Sequence, residues 1–175
     1  VLMLSTIPKR IAIIGGGAIG CEFASTFADL GSAVTVVEGA PKILPGLDPD
    51  VANVVVKTFA KKQITIRTGA VVAGQSKQPD GSTQITFTNG DPVVCDVVIM
   101  SIGRRPFADE LGLKGTAVKV DDRGFVVVDN LCQTGEPNVY AIGDLINTPQ
   151  LAHVAYAEAI LAVKHMRGET AMPVM

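Results

Sequence analysis

The stretch "IAIIGGGAIGCEF", Ile11 to Phe23, constrains the chain more than any other. Arg10 to Ile14 has the Ile-rich composition of a central parallel strand; it breaks into glycines and resumes with helical spacing at Ile19, Phe23, Phe27 and Leu30. Gly31 follows as a natural C-terminal cap. Gly15, Gly17 and Gly20 thus form G-x-G-x-x-G between a strand and a helix. The first glycine is expected to allow a sharp exit from the strand, the second to admit a pyrophosphate, and the third to let helix and sheet pack closely. The helix N-terminus offers N–H groups and partial positive charge to phosphates. Glu38 ends the next strand at about the 20-residue separation expected of a ribose-binding carboxylate. Such a carboxylate repels a 2′-phosphate, and no arginine follows closely, so the pattern points to NAD rather than NADP.

Val34 to Val37 reads as a second buried strand. Asp48 or Asp50 is placed to cap a helix running through Val51, Val54, Val55 and Phe59 towards Gln63, and Ile64 to Arg67 follows as a third strand. This β-α-β-α-β order implies a parallel sheet with right-handed crossovers. Val71 to Gln75, Gln84 to Thr88 and Val93 to Val94 read as a short antiparallel meander with turns at "PDGS" and "NGD". The run "DVVIMSIG", Asp96 to Gly103, returns to the parallel sheet. Two further strands are expected at Phe125 to Asp129 and Val139 to Ile142, then a long amphipathic helix from about Leu151 to Met166.

A formal charge of -2 gives no broad electropositive surface, which argues against nucleic acid or an anionic membrane as partner. No apolar run approaches the ~20 residues of a spanning helix. Cys21, Cys95 and Cys132 are odd in number and widely spaced, which fits a reducing compartment, cytoplasm or mitochondrial matrix, better than a disulfide framework or a metal site. The chain opens at Val1 in what reads as a linker and reaches Met175 without a stopping element, so an excised fragment is expected.

The segment "TGEPNVYAIGD", Thr134 to Asp144, brings a glycine and an aspartate to the end of an alternating run, where open α/β sheets bind ligands. It resembles the second flavin fingerprint of the flavoprotein reductases that bind two dinucleotides. With "IPKRIAIIGGGAIGCEFA", "GSAVTVVE", "CDVVIMSIGRRP" and "YAIGDLINTPQLAHVAYAEA", almost the whole chain resembles the dihydrolipoamide dehydrogenases among the pyridine nucleotide-disulphide oxidoreductases. Soluble transhydrogenase, mercuric reductase and glutathione reductase share that scaffold.

The resemblance implies an α/β, Rossmann-like, three-layer NAD-binding domain with a parallel sheet and an antiparallel β-meander, followed by a partial FAD-domain segment. The expected divisions are a linker at 1–7, the NAD-binding domain at 8–115, the returning FAD-domain segment at 116–169 and a tail at 170–175. It implies that Gly15, Gly16, Gly17, Ala18, Ile19, Gly20 and Glu38 hold NAD, with the Gly103 backbone against the nicotinamide half. Val72 aligns with an adenine contact, Val71 fitting nearly as well and either serving equally as core. Glu22 resembles a glutamate that approaches the flavin, although a first-turn glutamate also complements the helix dipole without further function. Gly143 and Asp144 would face the FAD ribityl chain. Gln150, Leu151, Ala152 and His153 open a helix whose N-terminus would stabilise negative charge on the reduced flavin, His153 carrying no catalytic role of its own. Arg104 and Arg105 read as phosphate ligands or, more ordinarily, as a solvated or salt-bridged pair.

The redox cysteine pair, the first FAD-binding glycine motif and the interface domain of that family are missing, so no catalytic residue is expected in this chain. NAD binding without lipoamide turnover is the expectation. The parent enzyme would be a homodimer, pass hydride between FAD and NAD during dihydrolipoamide oxidation, and serve a 2-oxo acid dehydrogenase complex. Two other readings stand beside it: a stand-alone NAD-binding or redox-sensing module, and a truncated product whose orphaned strands self-associate.

Overall fold

The computed structural model describes residues 1 and 3–170 of the chain; most of the expected tail lies outside them. The elements in chain order are β1 (Arg10–Ile14), α1 (Ala18–Asp29), β2 (Ala33–Val37), α2 (Pro49–Lys61), β3 (Thr65–Arg67), β4 (Val72–Lys77), β5 (Thr83–Phe87), β6 (Val93–Cys95), β7 (Val97–Met100) and α3 (Ala152–Met166). The residues divide into two compact units, Val1–Gly103 and Arg104–Met175. This change of unit falls earlier in the chain than the change of domain expected after residue 115.

In the first unit a parallel sheet runs in the order β3-β2-β1-β7, with β1 between β2 and β7. Alternate β1 side chains serve opposite faces, as the two-residue strand period requires. Ile11 and Ile13 pack with Cys21, Ala24 and Phe27 of α1 and Phe59 of α2. Ala12 and Ile14 pack with Ile85 and Cys95 of the antiparallel sheet β4-β5-β6. Helices, parallel sheet and meander make the three layers expected. The Asp48 side chain caps α2 by accepting from the Asp50 N–H at 2.9 Å, leaving Asp50 in the first turn.

α1 buries Gly20, Cys21, Ala24 and Phe27, while Ile19 and Leu30 are exposed. The buried stripe is therefore offset from the expected Ile19-Phe23-Phe27-Leu30 face, because the helix lies so close to β1 that small residues must form the contact. A Cβ added at Gly20 would stand 1.9 Å from the Gly15 carbonyl oxygen and 2.7 Å from Ser101 Oγ. Gly15 itself has φ +109°, and a Cβ there would stand 2.3 Å from the Ser101 carbonyl oxygen.

In the second unit the strands expected at Phe125 to Asp129 and Val139 to Ile142 are reduced to isolated bridges, Val120 to Val126 and Gln133 to Tyr140. Extended backbone is present, but among the described residues no ladder forms beside it, so alternation alone does not make a strand. α3 is not simply amphipathic either: Glu158 is buried beside Leu161 and Ala162, whereas Tyr156, Ile160 and Val163 are exposed.

The packing of the first unit can be tested at two places. Gly20→Ala should lower the unfolding free energy by at least about 2 kcal/mol, because a backbone carbonyl cannot swing aside. Gly17→Ala, where an added Cβ meets nothing within 4 Å, should stay within about 1 kcal/mol of the parent; urea unfolding of the two variants checks the difference. The second place is Asp96, whose carboxylate accepts from the Arg10 backbone N–H at 2.8 Å and from Arg10 Nη2 at 2.6 Å, tying β7 to β1. The Arg10 side chain holds the Asp96 carboxyl below its ordinary range. That stabilisation is present above the unfolded aspartate value near 3.9 and is lost as pH falls through the lower folded value. The urea midpoint of the parent should therefore fall more steeply below about pH 4 than that of Asp96→Asn.

Candidate functional site

Because the four strands are parallel, their carboxyl ends lie along one edge of the sheet, where ligands of open α/β sheets are held. Gly15 to Gly20, Glu38 and Gly103 lie on that edge in the first unit. The order β3-β2-β1-β7 makes β1 and β7 the strands between which the chain changes direction, and the glycine loop leaves β1 there.

The loop is fastened on every side. Gly15 N–H donates to the Val37 carbonyl at 2.8 Å, and the Gly16 carbonyl accepts from Leu44 N–H at 2.8 Å. Ser101 N–H donates to the Ile14 carbonyl at 2.7 Å, and its hydroxyl lies 3.1 Å from that oxygen and 3.0 Å from the Gly15 carbonyl oxygen. Gly16 has no room for a side chain: a Cβ would stand 2.9 Å from Ile43 Cγ2 and 3.1 Å from Glu38 Cβ. At Gly17 the space is open. Gly17 caps α1 without a side-chain bond, and the N–H groups of Ala18 and Ile19, both exposed, have no intrahelical acceptor.

Glu38 is held more tightly than a strand-end carboxylate in water. Its Oε2 accepts from Gly16 N–H at 2.7 Å and its Oε1 from Ala40 N–H at 2.7 Å. A carboxylate has about four lone-pair sites, so acceptor capacity remains on both oxygens. The edge therefore presents helix N–H donors beside an open step in the backbone, and a carboxylate aimed at them from the loop after β2. Those features complement a phosphodiester and a vicinal diol, the chemistry of a dinucleotide's pyrophosphate and ribose.

The other expected residues of this unit are placed less decisively. Gly103, at φ +113°, follows β7 with open space where a Cβ would stand. Val71 and Val72 are 53% and 39% exposed, so both leave apolar surface free. The chain before them is tied to the Glu38 loop, Ala70 N–H donating to the Glu38 carbonyl at 3.0 Å. Glu22 is exposed in the second turn of α1, whose first turn holds no acid, so it is not the first-turn glutamate expected from the sequence.

The residues expected to face a flavin lie in the second unit. Gly143, at φ +66°, opens the 3₁₀ turn Gly143–Leu145. Asp144 pairs with Arg104, so Arg104 takes the salt-bridged alternative. Gln150 Nε2 reaches the Asp144 carbonyl at 3.5 Å. Leu151 caps α3 without a side-chain bond, leaving the first-turn N–H groups of Ala152 and His153 without an intrahelical acceptor. The arrangement fits a group bearing hydroxyl donors near Asp144 and an anionic edge near the helix start.

Sequence reasoning missed Ser101 and Glu158. The signal for Ser101 was its hydroxyl interrupting the apolar "VVIMSIG"; for Glu158 it was a single acid among alanines and aliphatics in "AYAEAILAV". The cysteines are Cys21, Cys95 and Cys132. All three are free and buried, and burial pushes the Cys21 thiol up to about 11, with Glu38 and Glu22 adding to the effect. Cys21 Sγ lies 3.5 Å from the Gly16 carbonyl oxygen, packed behind the glycines. Among the described residues no group of acids, histidines or cysteines could hold a metal ion, and no helix is long and apolar enough to cross a membrane.

Comparison with known proteins agrees with the fold. The chain is 40% identical over 173 residues to dihydrolipoyl dehydrogenase of Bacillus subtilis, an alignment covering 97% of this chain and 37% of that protein. It is 40% identical over 172 residues to the Haloferax volcanii dihydrolipoyl dehydrogenase, covering 96% and 36%. The fold superposes on LpdA from Mycobacterium tuberculosis with TM-score 0.91 at 29% identity, covering 98% of this chain and 37% of that one. On RclA, an HOCl-induced flavoprotein disulfide reductase of Escherichia coli, the TM-score is 0.91 at 29% identity, covering 98% and 39%. The chain thus spans little more than a third of the relatives it matches. Residues 1–159 match the family model described as pyridine nucleotide-disulphide oxidoreductase, and with the glycine loop, the held Glu38 and the three-layer fold in place, the chain belongs to that family.

Proposed function

We propose that the first unit holds NAD(H) along the carboxyl edge of its parallel sheet, and that the chain is the NAD-binding part, with a returning flavin-domain segment, of a dihydrolipoamide dehydrogenase-type flavoprotein. The observation that carries this reading is the Glu38 carboxylate. Two backbone N–H groups lodge it against the phosphate loop, with acceptor capacity to spare, beside the open space at Gly17.

In this reading the pyrophosphate lies over Gly17 with the N–H groups of Ala18 and Ile19 as donors, and the α1 dipole favours its charge. Glu38 accepts from both adenosine ribose hydroxyls and repels a 2′-phosphate, which sets the preference for NAD. The Gly103 backbone lines the nicotinamide half, and Val71 or Val72 the adenine half. In the second unit Asp144 accepts from the flavin ribityl chain, while the α3 N-terminus places positive potential where the reduced ring is anionic. FAD, when bound, would supply the two-electron chemistry linking a dithiol to NAD⁺. The chain's own residues bind, orient and tune; none transfers the electrons. Its three buried, separate thiols supply no dithiol, so dihydrolipoamide turnover requires residues beyond this sequence. The homodimer, the 2-oxo acid dehydrogenase complex and a reducing cytoplasmic setting belong to the same proposal.

Calorimetric titration of the purified chain tests it. The chain should bind NADH more tightly than NADPH, and Glu38→Arg should weaken NADH binding by at least about tenfold. Glu38→Gln, which keeps an acceptor for the loop, separates lost ribose contacts from a collapsed loop when both variants are compared by melting temperature. Unchanged NADH affinity in a folded Glu38→Arg variant would remove this residue from the site.

A further inference from the structure

We propose that Glu158 is a positioning residue for Asp144, the carboxylate read above as the flavin's ribityl acceptor; the inference rests on that reading. Glu158 lies in the middle of α3 and is 2% exposed, although carboxylates are almost never buried without partners. Its Oε2 accepts from the Gly143 N–H at 2.6 Å. Its Oε1 is buried with no hydrogen-bond partner among the described residues.

That half-satisfied carboxyl is a poor choice for packing alone. Ile146 and Leu161 line the same cavity as Glu158, and an apolar side chain there would bury no unpaired oxygen. What the carboxylate does provide is a charge-assisted hydrogen bond to the amide immediately before Asp144. Gly143 needs such a hold, because its left-handed φ of +66° turns the backbone into the 3₁₀ turn. The turn closes on the Ile146 N–H, which donates to the Gly143 carbonyl at 3.0 Å. A Cβ at Gly143 would stand 3.2 Å from Ala155 Cβ, one turn before Glu158 on the same helix. α3 therefore sets the turn by contact and by hydrogen bond together. The Asp144 carboxylate is itself paired with Arg104. Glu158 fixes the backbone and Arg104 the side chain, and the acceptor oxygens of Asp144 are aimed by both.

The test has two arms. In the chain itself, Glu158→Ala should speed hydrogen exchange of the Gly143 amide by at least about tenfold, while Glu158→Gln, whose carbonyl still accepts, stays within about threefold of the parent. In the full-length flavoprotein, Glu158→Ala should weaken FAD binding by at least about tenfold and shift the flavin absorption bands, with Glu158→Gln again near the parent. Should alanine prevent folding, Glu158→Asp, one methylene shorter, should still exchange Gly143 faster than the parent. Parent-like Gly143 exchange in the alanine or aspartate variant overturns the inference. Equal FAD loss in the alanine and glutamine variants, tracking a common fall in melting temperature, also overturns it, since that marks packing rather than positioning. Asp144→Ala serves as the reference: if it leaves FAD affinity unchanged while Glu158→Ala still frees the Gly143 amide, the flavin reading fails and the hold on the turn stands.

Discussion

The approach of α1 to β1 governs the first unit. With the Gly15 carbonyl oxygen only 1.9 Å from where a Cβ of residue 20 would lie, the helix start and the strand end are too close to admit any side chain there. That contact decides which residues α1 can bury, and so the packing around Cys21 and Ala24. It also leaves the first-turn residues Ala18 and Ile19 exposed beside the carboxyl end of the strand. Ser101 locks the arrangement through carbonyl oxygens of Ile14 and Gly15, so β7 contributes to the loop although it lies far along the chain.

Charge is organised on the same principle of backbone first. Glu38 is oriented by two amides, one on the glycine loop and one on its own loop, before any ligand is considered. In the second unit Gly143 and Asp144 are arranged comparably, an amide held by a buried carboxylate and a carboxylate held by an arginine. Both places thus use protein donors to set a carboxylate or the amide before it in position.

Much of this was legible in the residues. The glycine spacing, the strand composition of "RIAII" and the position of Glu38 are local signals, and each agrees with the structure because a single physical demand stands behind it. The meander was legible for the same reason, its turns marked by "PDGS" and "NGD" with Gly81 and Gly90 at positive φ. The failures are of another kind. Phe125 to Asp129 and Val139 to Ile142 carry strand patterns, but a strand is a pairing, and pairing partners are not written into a segment's own sequence. Glu22 stands in the second turn of α1, one turn beyond the position where a glutamate complements the helix start. Ser101 and Glu158 escaped notice since each acts on a residue more than a dozen positions away, across a fold that spacing alone does not reveal.

The inside-out pattern of α3 has a practical side. Tyr156, Ile160 and Val163 recur at helical spacing on its exposed surface, forming an oily seam along a helix whose interior holds a carboxylate. Water wets such a seam grudgingly. Salting-out anions such as sulfate strengthen the drive to cover such a seam, whereas urea at low concentration relaxes it.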